Sequence, residues 1–251
     1  MKQARLLSIR LSPDGLSFWR GDGSREVTVG FDAEFGMGAN IRAAVARYMS
    51  KGRRRGGADD VAVRVIVDAG KTVIVPAVLF DSARVVDYLR LNNMTLAATE
   101  RVVVCEFTAG DEEAVSIIVC DGEAVDAFGE LFGPRVRFAS PFEVMGEIAA
   151  SAASAVRGKK KTAEHSFATL YLTPHNVYIT VQCADDGRWQ YCEVLPFASA
   201  ADILYYACTL AGAGLLDAAS SPLFVHGTDA AAVAKFLRKR FTRARVFQPA
   251  G

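Results

Sequence analysis

Residues 6–20, LLSIRLSPDGLSFWR, and residues 167–181, FATLYLTPHNVYITV, align position for position through a shared turn. In each, apolar and polar residues alternate up to a break of hydroxyl, proline, polar residue and Gly or Asn. The break is Ser12-Pro13-Asp14-Gly15 in one and Thr173-Pro174-His175-Asn176 in the other. Alternation with period two marks a strand, and these turn residues bend a chain back on itself. Each stretch is predicted to be an antiparallel hairpin, and their match to be an internal duplication.

The match extends outward. Residues 6–31 lie over residues 167–197 with one length difference in the second hairpin, whose turns are Gly21-Asp22-Gly23 and Asp185-Asp186-Gly187. After the first three strands, Asn40 is predicted to cap a helix over 41–49, followed by a basic loop at Arg53-Arg54-Arg55. Strands follow at Val61–Val67 and Thr72–Val75, then a helix capped by Asp81. Residues 101–155 read as strand, strand, helix, strand, helix, and Gly158-Lys159-Lys160-Lys161 reads as a linker. In the second half a helix over Ala200–Leu210, a strand over Leu223–His226, a helix capped by Asp229 and a strand over Ala244–Phe247 complete the chain. TVIVP before DSARVVDYL is matched with LFVHG before DAAAVAKFL. The predicted class is α/β, with two lobes of β-β-β-α-β-α. The first lobe covers 1–156 with an inserted α/β segment at about 99–140, the linker 157–165, and the second lobe 166–251.

Of 251 residues, 51% are hydrophobic and 23% charged, a composition that supports a buried core in each lobe. A net charge of +1 lacks the basic excess of a nucleic-acid binder. No apolar run reaches the ~20 residues of a membrane span. The opening MKQARLLSIRLSPDG turns polar too early for a secretory signal, so the cytoplasm is the expected compartment. The five cysteines form no metal-binding spacing. They are expected as core thiols, with a disulfide between Cys183 and Cys192, which flank a turn, as the alternative. His165, His175 and His226 are too far apart for a local metal motif. His175 and His226 are expected in surface or hydrogen-bonded structural roles, with lining a cleft between the lobes as the alternative. No nucleotide-binding or hydrolase signature occurs, and no metal or cofactor is expected. Of the adjacent Tyr205 and Tyr206, one ring must face the core; core filling is the expected role, with an exposed contact residue as the alternative.

A duplicated three-strand sheet followed by α-β-α resembles the sugar kinase, Hsp70 and actin superfamily (ASKHA), whose lobes have a ribonuclease H-like, actin-like ATPase fold. SIRLSPDGLSF, VIVPAVLFDSARVVDYLRLNN and LPFASAADILYYACTLAGAGLLDAASSPLFVHG resemble the uncharacterised Bacteroidetes family numbered 3822 among domains of unknown function. More distantly, residues 101–155 resemble the inserted subdomain of the PilM and FtsA families. The superfamily resemblance implies phosphates held between two hairpin turns, strand-end aspartates that position the water shell of Mg²⁺, and an adenosine-side glycine pair. Here the strand-end positions hold Arg10 and Tyr171, the turns carry Pro13 and Pro174, and only Gly227 remains of the glycine pair. Proline offers no N–H to a phosphate. Ser12, Asp14, Gly15, Thr173, Asn176 and Gly227 are expected to line a vestigial interlobe cleft. The resulting expectation is a non-catalytic binding or scaffold protein that docks a protein partner. The alternative is a divergent ATPase or kinase with atypical ligands such as Asp14, Thr173 and Asn176.

Overall fold

The structure is a computed structural model and describes residues 5–20, 26–52, 61–109, 112–148, 166–183 and 185–247. The turn at Gly21–Gly23, the arginine loop, the lysine linker, His165 and the end of the helix predicted to reach Ala155 lie outside the described residues.

In chain order, β1 (Arg5–Ser12), β2 (Gly15–Arg20) and β3 (Val27–Gly30) precede α1 (Met37–Gly52) and β4 (Val61–Val67). Next come β5 (Thr72–Pro76), α2 (Val85–Leu91), β6 (Glu100–Ala109), β7 (Glu112–Asp121), α3 (Gly122–Phe132) and β8 (Val136–Ala139). Helix α4 is described over 141–148, with the Ser140 hydroxyl accepting from the Phe142 N–H at 3.2 Å. The second half contains β9 (Phe167–Leu172), β10 (Asn176–Gln182), β11 (Trp189–Pro196), α5 (Ala200–Gly212), β12 (Leu223–Gly227), α6 (Ala230–Leu237) and β13 (Ala244–Val246). Among the described residues no helix is long and apolar enough to cross a membrane.

Among the described residues the strands form two five-stranded sheets of matching order, β3-β2-β1-β4-β8 and β11-β10-β9-β12-β13. The register matches as well. Leu11 faces Leu16 in the first hairpin as Leu172 faces Val177 in the second. The parallel neighbour is set identically: β1 pairs Leu7 with Val63, and β9 pairs Ala168 with Leu223. Even the strand exits agree, with the Asp68 N–H donating to the Leu11 carbonyl at 2.9 Å and the Thr228 N–H to the Leu172 carbonyl at 3.0 Å.

This pairing corrects the expected match of TVIVP with LFVHG. The counterpart of β12 is β4, VAVRVIV, whereas TVIVP is β5 in a separate three-stranded sheet of order β5-β7-β6. Strands buried on both faces read as apolar runs. Arg64 inside β4 disguised one such run; it is buried and held by Glu143 at 3.3 Å and Glu147 at 2.8 Å. Accordingly the segment outside the five-stranded sheets begins at β5, not near residue 99, and β8 pairs with β4 in the first sheet.

Three predicted helix starts also differ. Helix α1 begins at Met37, and Asn40 lies within it. Its amide donates to the carbonyls of Asp32 and Phe35, both at 2.9 Å, tying the preceding loop to the helix. Asp81 accepts from the Ala83 N–H at 2.9 Å but caps a single 3₁₀ turn before α2. Asp229 precedes α6 with φ 53° and no side-chain cap bond.

Alternation along β1 and β9 divides each central strand between two environments. Leu7, Ile9 and Leu11 join Ile41 and Val45 of α1 and Ala127 and Phe128 of α3 in one core. Ala168, Leu170 and Leu172 join Ile203 and Ala207 of α5 and Val233 and Leu237 of α6 in the other. The opposite faces bury Ser8, Arg10, Thr169 and Tyr171. A third cluster, Phe107, Phe142, Met145, Tyr171, Tyr178 and Val194, joins the small sheet and α4 to the second lobe. Its centre is Phe142, whose ring meets Tyr178 edge-on at 5.4 Å.

The five cysteines are free. Burial pushes the Cys105 thiol up to about 12 and those of Cys120 and Cys192 up to about 11, so all three stay protonated at neutral pH. Cys208, contrary to the core-thiol expectation, is exposed on α5. Tyr205 is the outward ring of its pair, while the Tyr206 hydroxyl donates to the Pro196 carbonyl at 2.6 Å.

Candidate functional site at the facing hairpins

The duplication brings equivalent positions face to face. Arg10 and Tyr171, 161 residues apart, occupy the same place in their repeats, and an Arg10 guanidinium N–H donates to the Tyr171 hydroxyl at 3.3 Å. Asp14 and His175, also equivalent, meet at 3.3 Å across the two turns. Both contacts are what a twofold-related pair of hairpins produces when the turns point at each other.

Arg10 is buried, with both terminal guanidinium nitrogens engaged and Nε without a protein partner. It also donates to Ser17 Oγ at 3.2 Å and to Glu26 at 2.9 Å, and Ser17 in turn lies 3.0 Å from Thr28 Oγ1. Burial works against its charge, but Tyr171, Glu26 and Asp68 more than offset this, and its pKa is raised. Burial raises Tyr171 despite the opposing pull of Arg10, so the phenol stays neutral. The Tyr171 ring stacks on His226 with centroids 5.7 Å apart, and His226 Nδ1 lies 3.1 Å from the Phe247 carbonyl. Burial lowers the His226 pKa and keeps the ring neutral.

The residues singled out from the sequence sit at the ends of the paired strands, and all but Ser12 have a hydrogen bond, an ion-pair contact or a close backbone approach. Thr173 Oγ1 donates to the Asn176 carbonyl at 3.0 Å and accepts from the Asn176 N–H at 3.1 Å, closing its own turn. Ser12 is buried at the end of β1. Gly15 lies against β3, where a Cβ would come within 2.6 Å of the Val29 carbonyl oxygen. Gly227 has φ 96°, and a Cβ there would fall 2.1 Å from the Leu172 carbonyl oxygen. Only glycine fits that backbone at the end of β12. Asp14 is exposed with His175 as its partner. Asn176 is buried, and its amide donates to Asp68 Oδ1 at 2.9 Å.

Asp68 is the residue that sequence reasoning missed. It follows β4, is buried, and accepts from Asn176 Nδ2 and from the Tyr178 hydroxyl, both at 2.9 Å. Its other oxygen, Oδ2, is buried without a protein partner. Burial and the neighbouring carboxylate push the Tyr178 pKa well up, so the phenol is a donor. The signal was available: an aspartate directly after the apolar run Val65-Ile66-Val67 is a strand-end carboxylate. Among the described residues no group of three or more His, Cys, Asp or Glu side chains is placed to hold a metal.

Two lobes of matching strand order, joined through facing hairpins, are the actin-like ATPase fold, and solved structures agree. One is a Bacteroides thetaiotaomicron protein with an actin-like ATPase fold and unknown function. It is 17% identical with a TM-score of 0.72, the match covering 99% of this chain and 92% of that one. Another is PilM in the PilM–PilN type IV pilus biogenesis complex, 11% identical with a TM-score of 0.59, covering 97% and 88%. No curated protein gives a significant match. The chain belongs to the family described as "Protein of unknown function (DUF3822)", which it matches over residues 2–239.

Proposed function

We propose that this chain is a non-catalytic binding or scaffold protein, an actin-like fold without the phosphate machinery of the ATPases. The observation that carries the reading is the buried contact between Arg10 and Tyr171. At the two strand ends where ATPases of this fold are expected to place metal-positioning aspartates, a cation and a neutral phenol bind each other instead. The turn beside Tyr171 consumes its own hydrogen-bonding groups, and the glycines at 15 and 227 answer to close backbone contacts. Each feature that resembles a phosphate site thus has a packing role that needs no phosphate.

For the chain's organisation we propose a first lobe over 1–156, a connection over 157–165 and a second lobe over 166–251, with the β5–β7 sheet as the insertion. The partner is taken to be a protein, and neither nucleic acid nor a membrane span enters the reading. PilM is seen in complex with PilN, a precedent by analogy for an actin-like fold that works by docking another protein.

One observation favours a second reading, a divergent nucleotide-binding enzyme. Asp68 is a carboxylate at the junction of the lobes with a buried, unpartnered oxygen. Anions are held by backbone N–H groups and metal ions by carboxylates, and Asp68 supplies one element of the latter. A thermal-shift titration with Mg²⁺-ATP alongside a phosphate-release assay separates the readings. A ligand at a hundred times its Kd adds ~2.7 kcal/mol of stability. The scaffold reading expects no shift and no phosphate release; a shift abolished by Asp68→Asn would establish the enzyme reading.

A further inference from the structure

Residues 235–245, KFLRKRFTRAR, carry Lys235, Arg238, Lys239, Arg240, Arg243 and Arg245 and no carboxylate. They run from the end of α6 through a turn into β13, the terminal strand of the second sheet, and all six cations are exposed. Six of the 29 basic residues lie here, which leaves 23 against 28 acidic ones elsewhere. A chain close to neutral thus concentrates its positive charge at one edge. Surface cations are ordinarily interspersed with anions, as Arg42 is with Glu130 and Arg137 with Glu143. Among the described residues none of the six enters an ion pair.

Three of them are nevertheless held in place, by neutral partners. Arg238 Nε donates to the Ala244 carbonyl at 3.0 Å, Lys239 Nζ lies 4.2 Å from the centre of the Phe236 ring, and the Arg245 guanidinium lies 4.7 Å from that of Phe224. Such contacts fix a cation without neutralising it, so less ordering is left to pay when an anion arrives. The α6 C-terminus accounts for cations in its own last turn, but Arg243 and Arg245 lie beyond it.

Geometry narrows the anion. Leu223 and Val225 of β12 join α5 and α6 in the core, so Phe224, with Arg245 over it, lies on the opposite face of the sheet. The cations therefore flank β13 on both sides, a curved belt that a flat lipid surface does not meet all at once. Phe224 is fully buried beneath Arg245 and Phe236 carries Lys239, so neither ring is laid out as the stacking platform that single-stranded nucleic acid uses. The strand edge is closed at Ala244, whose N–H donates to the Phe241 carbonyl at 3.0 Å and whose carbonyl accepts from Arg238. Recognition here falls to the side chains rather than to strand addition. The acidic excess of the remaining chain opposes a long polyanion, but not a short acidic segment whose charges stay within a screening length of the belt.

We propose that the cationic belt around α6 and β13 is a docking surface for a short acidic segment of a partner protein. The proposal rests on the protein-docking reading above and gives the charge of the partner.

The test titrates the full chain by fluorescence anisotropy against a fluorescein-labelled peptide that alternates Glu and Ser. Oligothymidylate, a short DNA duplex and phosphatidylcholine–phosphatidylserine vesicles are the comparison ligands. The peptide is expected to saturate at about 0.1 M salt and to be released at about 1 M, where the screening length falls from about 10 Å to about 3 Å. Arg240→Glu with Arg243→Glu, both at exposed positions, is expected to weaken it at least about tenfold with no change in melting temperature. Arg240→Lys with Arg243→Lys keeps the charge and should bind within about twofold of the wild type. Arg47→Glu with Arg101→Glu makes an equal change of charge on exposed residues elsewhere and should also leave binding within about twofold. No saturation at the lower salt, or equal weakening by the two glutamate pairs, overturns the proposal. Tighter binding of DNA or vesicles than of the peptide assigns the belt to nucleic acid or lipid and overturns it as well. These results remove the site but leave a docking protein, whereas Mg²⁺-ATP binding with phosphate release removes the docking reading itself.

Discussion

Replacing Asp68 by alanine removes the acceptor shared by Asn176 and Tyr178, both buried donors. A buried donor left unpaired costs ~1–3 kcal/mol, so two cost ~2–6 kcal/mol. Removing a carboxylate whose Oδ2 is already unpartnered returns part of this. We therefore expect a net loss of ~2–4 kcal/mol. Asp68→Asn keeps an oxygen for both donors and forfeits only the charge assistance, for which ~1 kcal/mol is expected. Urea unfolding followed by tryptophan fluorescence is the assay, because Trp189 packs on Phe142, which meets Tyr178. A double-mutant cycle with Tyr178→Phe isolates the bond across the lobes and should give a coupling of ~0.5–3 kcal/mol. If Asp68→Ala unfolds within ~0.5 kcal/mol of the wild type, as an unremarkable surface change does, or the cycle is additive, the lobes are not held by this carboxylate.

Three further outcomes follow from other contacts. Gly227→Ala should cost more than the ~1–2 kcal/mol of a left-handed residue alone, because the new Cβ meets the Leu172 carbonyl oxygen; urea midpoints compared with Gly212→Ala, where nothing lies within 4 Å, check it. Phe142→Ala should destabilise by ~3–5 kcal/mol and shift tryptophan emission to the red, since it empties the centre of the interlobe aromatic cluster. His226 has a folded pKa lowered by burial, so its contribution is complete above the ordinary value of 6.5 and is lost as pH falls through the lowered one. Melts between pH 7.5 and 5 should show a stability decline that His226→Phe, which keeps a ring against Tyr171, makes shallower.

The hairpins were legible because turn chemistry and period-two alternation are local, and both were repeated. Pro13 and Pro174 mark equivalent bends, and the strand registers that flank them agree. The insertion was misplaced because Thr72–Pro76 and Leu223–Gly227 share composition and a following aspartate, while sheet membership is decided by pairing. Arg64 hid the true counterpart: its charge interrupts an apolar strand, and its partners lie on α4, 79 and 83 residues away. At the site, Arg10 and Tyr171 are visible in the sequence only as strand-end substitutions, since their contact depends on how the two lobes face. The same holds for Asp68, whose partners are 108 and 110 residues distant. The interlobe aromatic cluster was not legible at all, since β6, α4, β9, β10 and β11 meet only in three dimensions.

A triphosphate brings roughly four negative charges that a site must meet with oriented N–H groups and a metal ion. The facing hairpins instead present prolines, a turn closed on itself, and an arginine already engaged by Tyr171, Ser17 and Glu26. Losing preorganised groups of this kind costs ~3–4 kcal/mol each in enzymes. The direct measurement is a calorimetric titration of the full chain with Mg²⁺-ATP. The account predicts no saturable heat at concentrations below the millimolar range. Micromolar binding accompanied by phosphate release above background would contradict it.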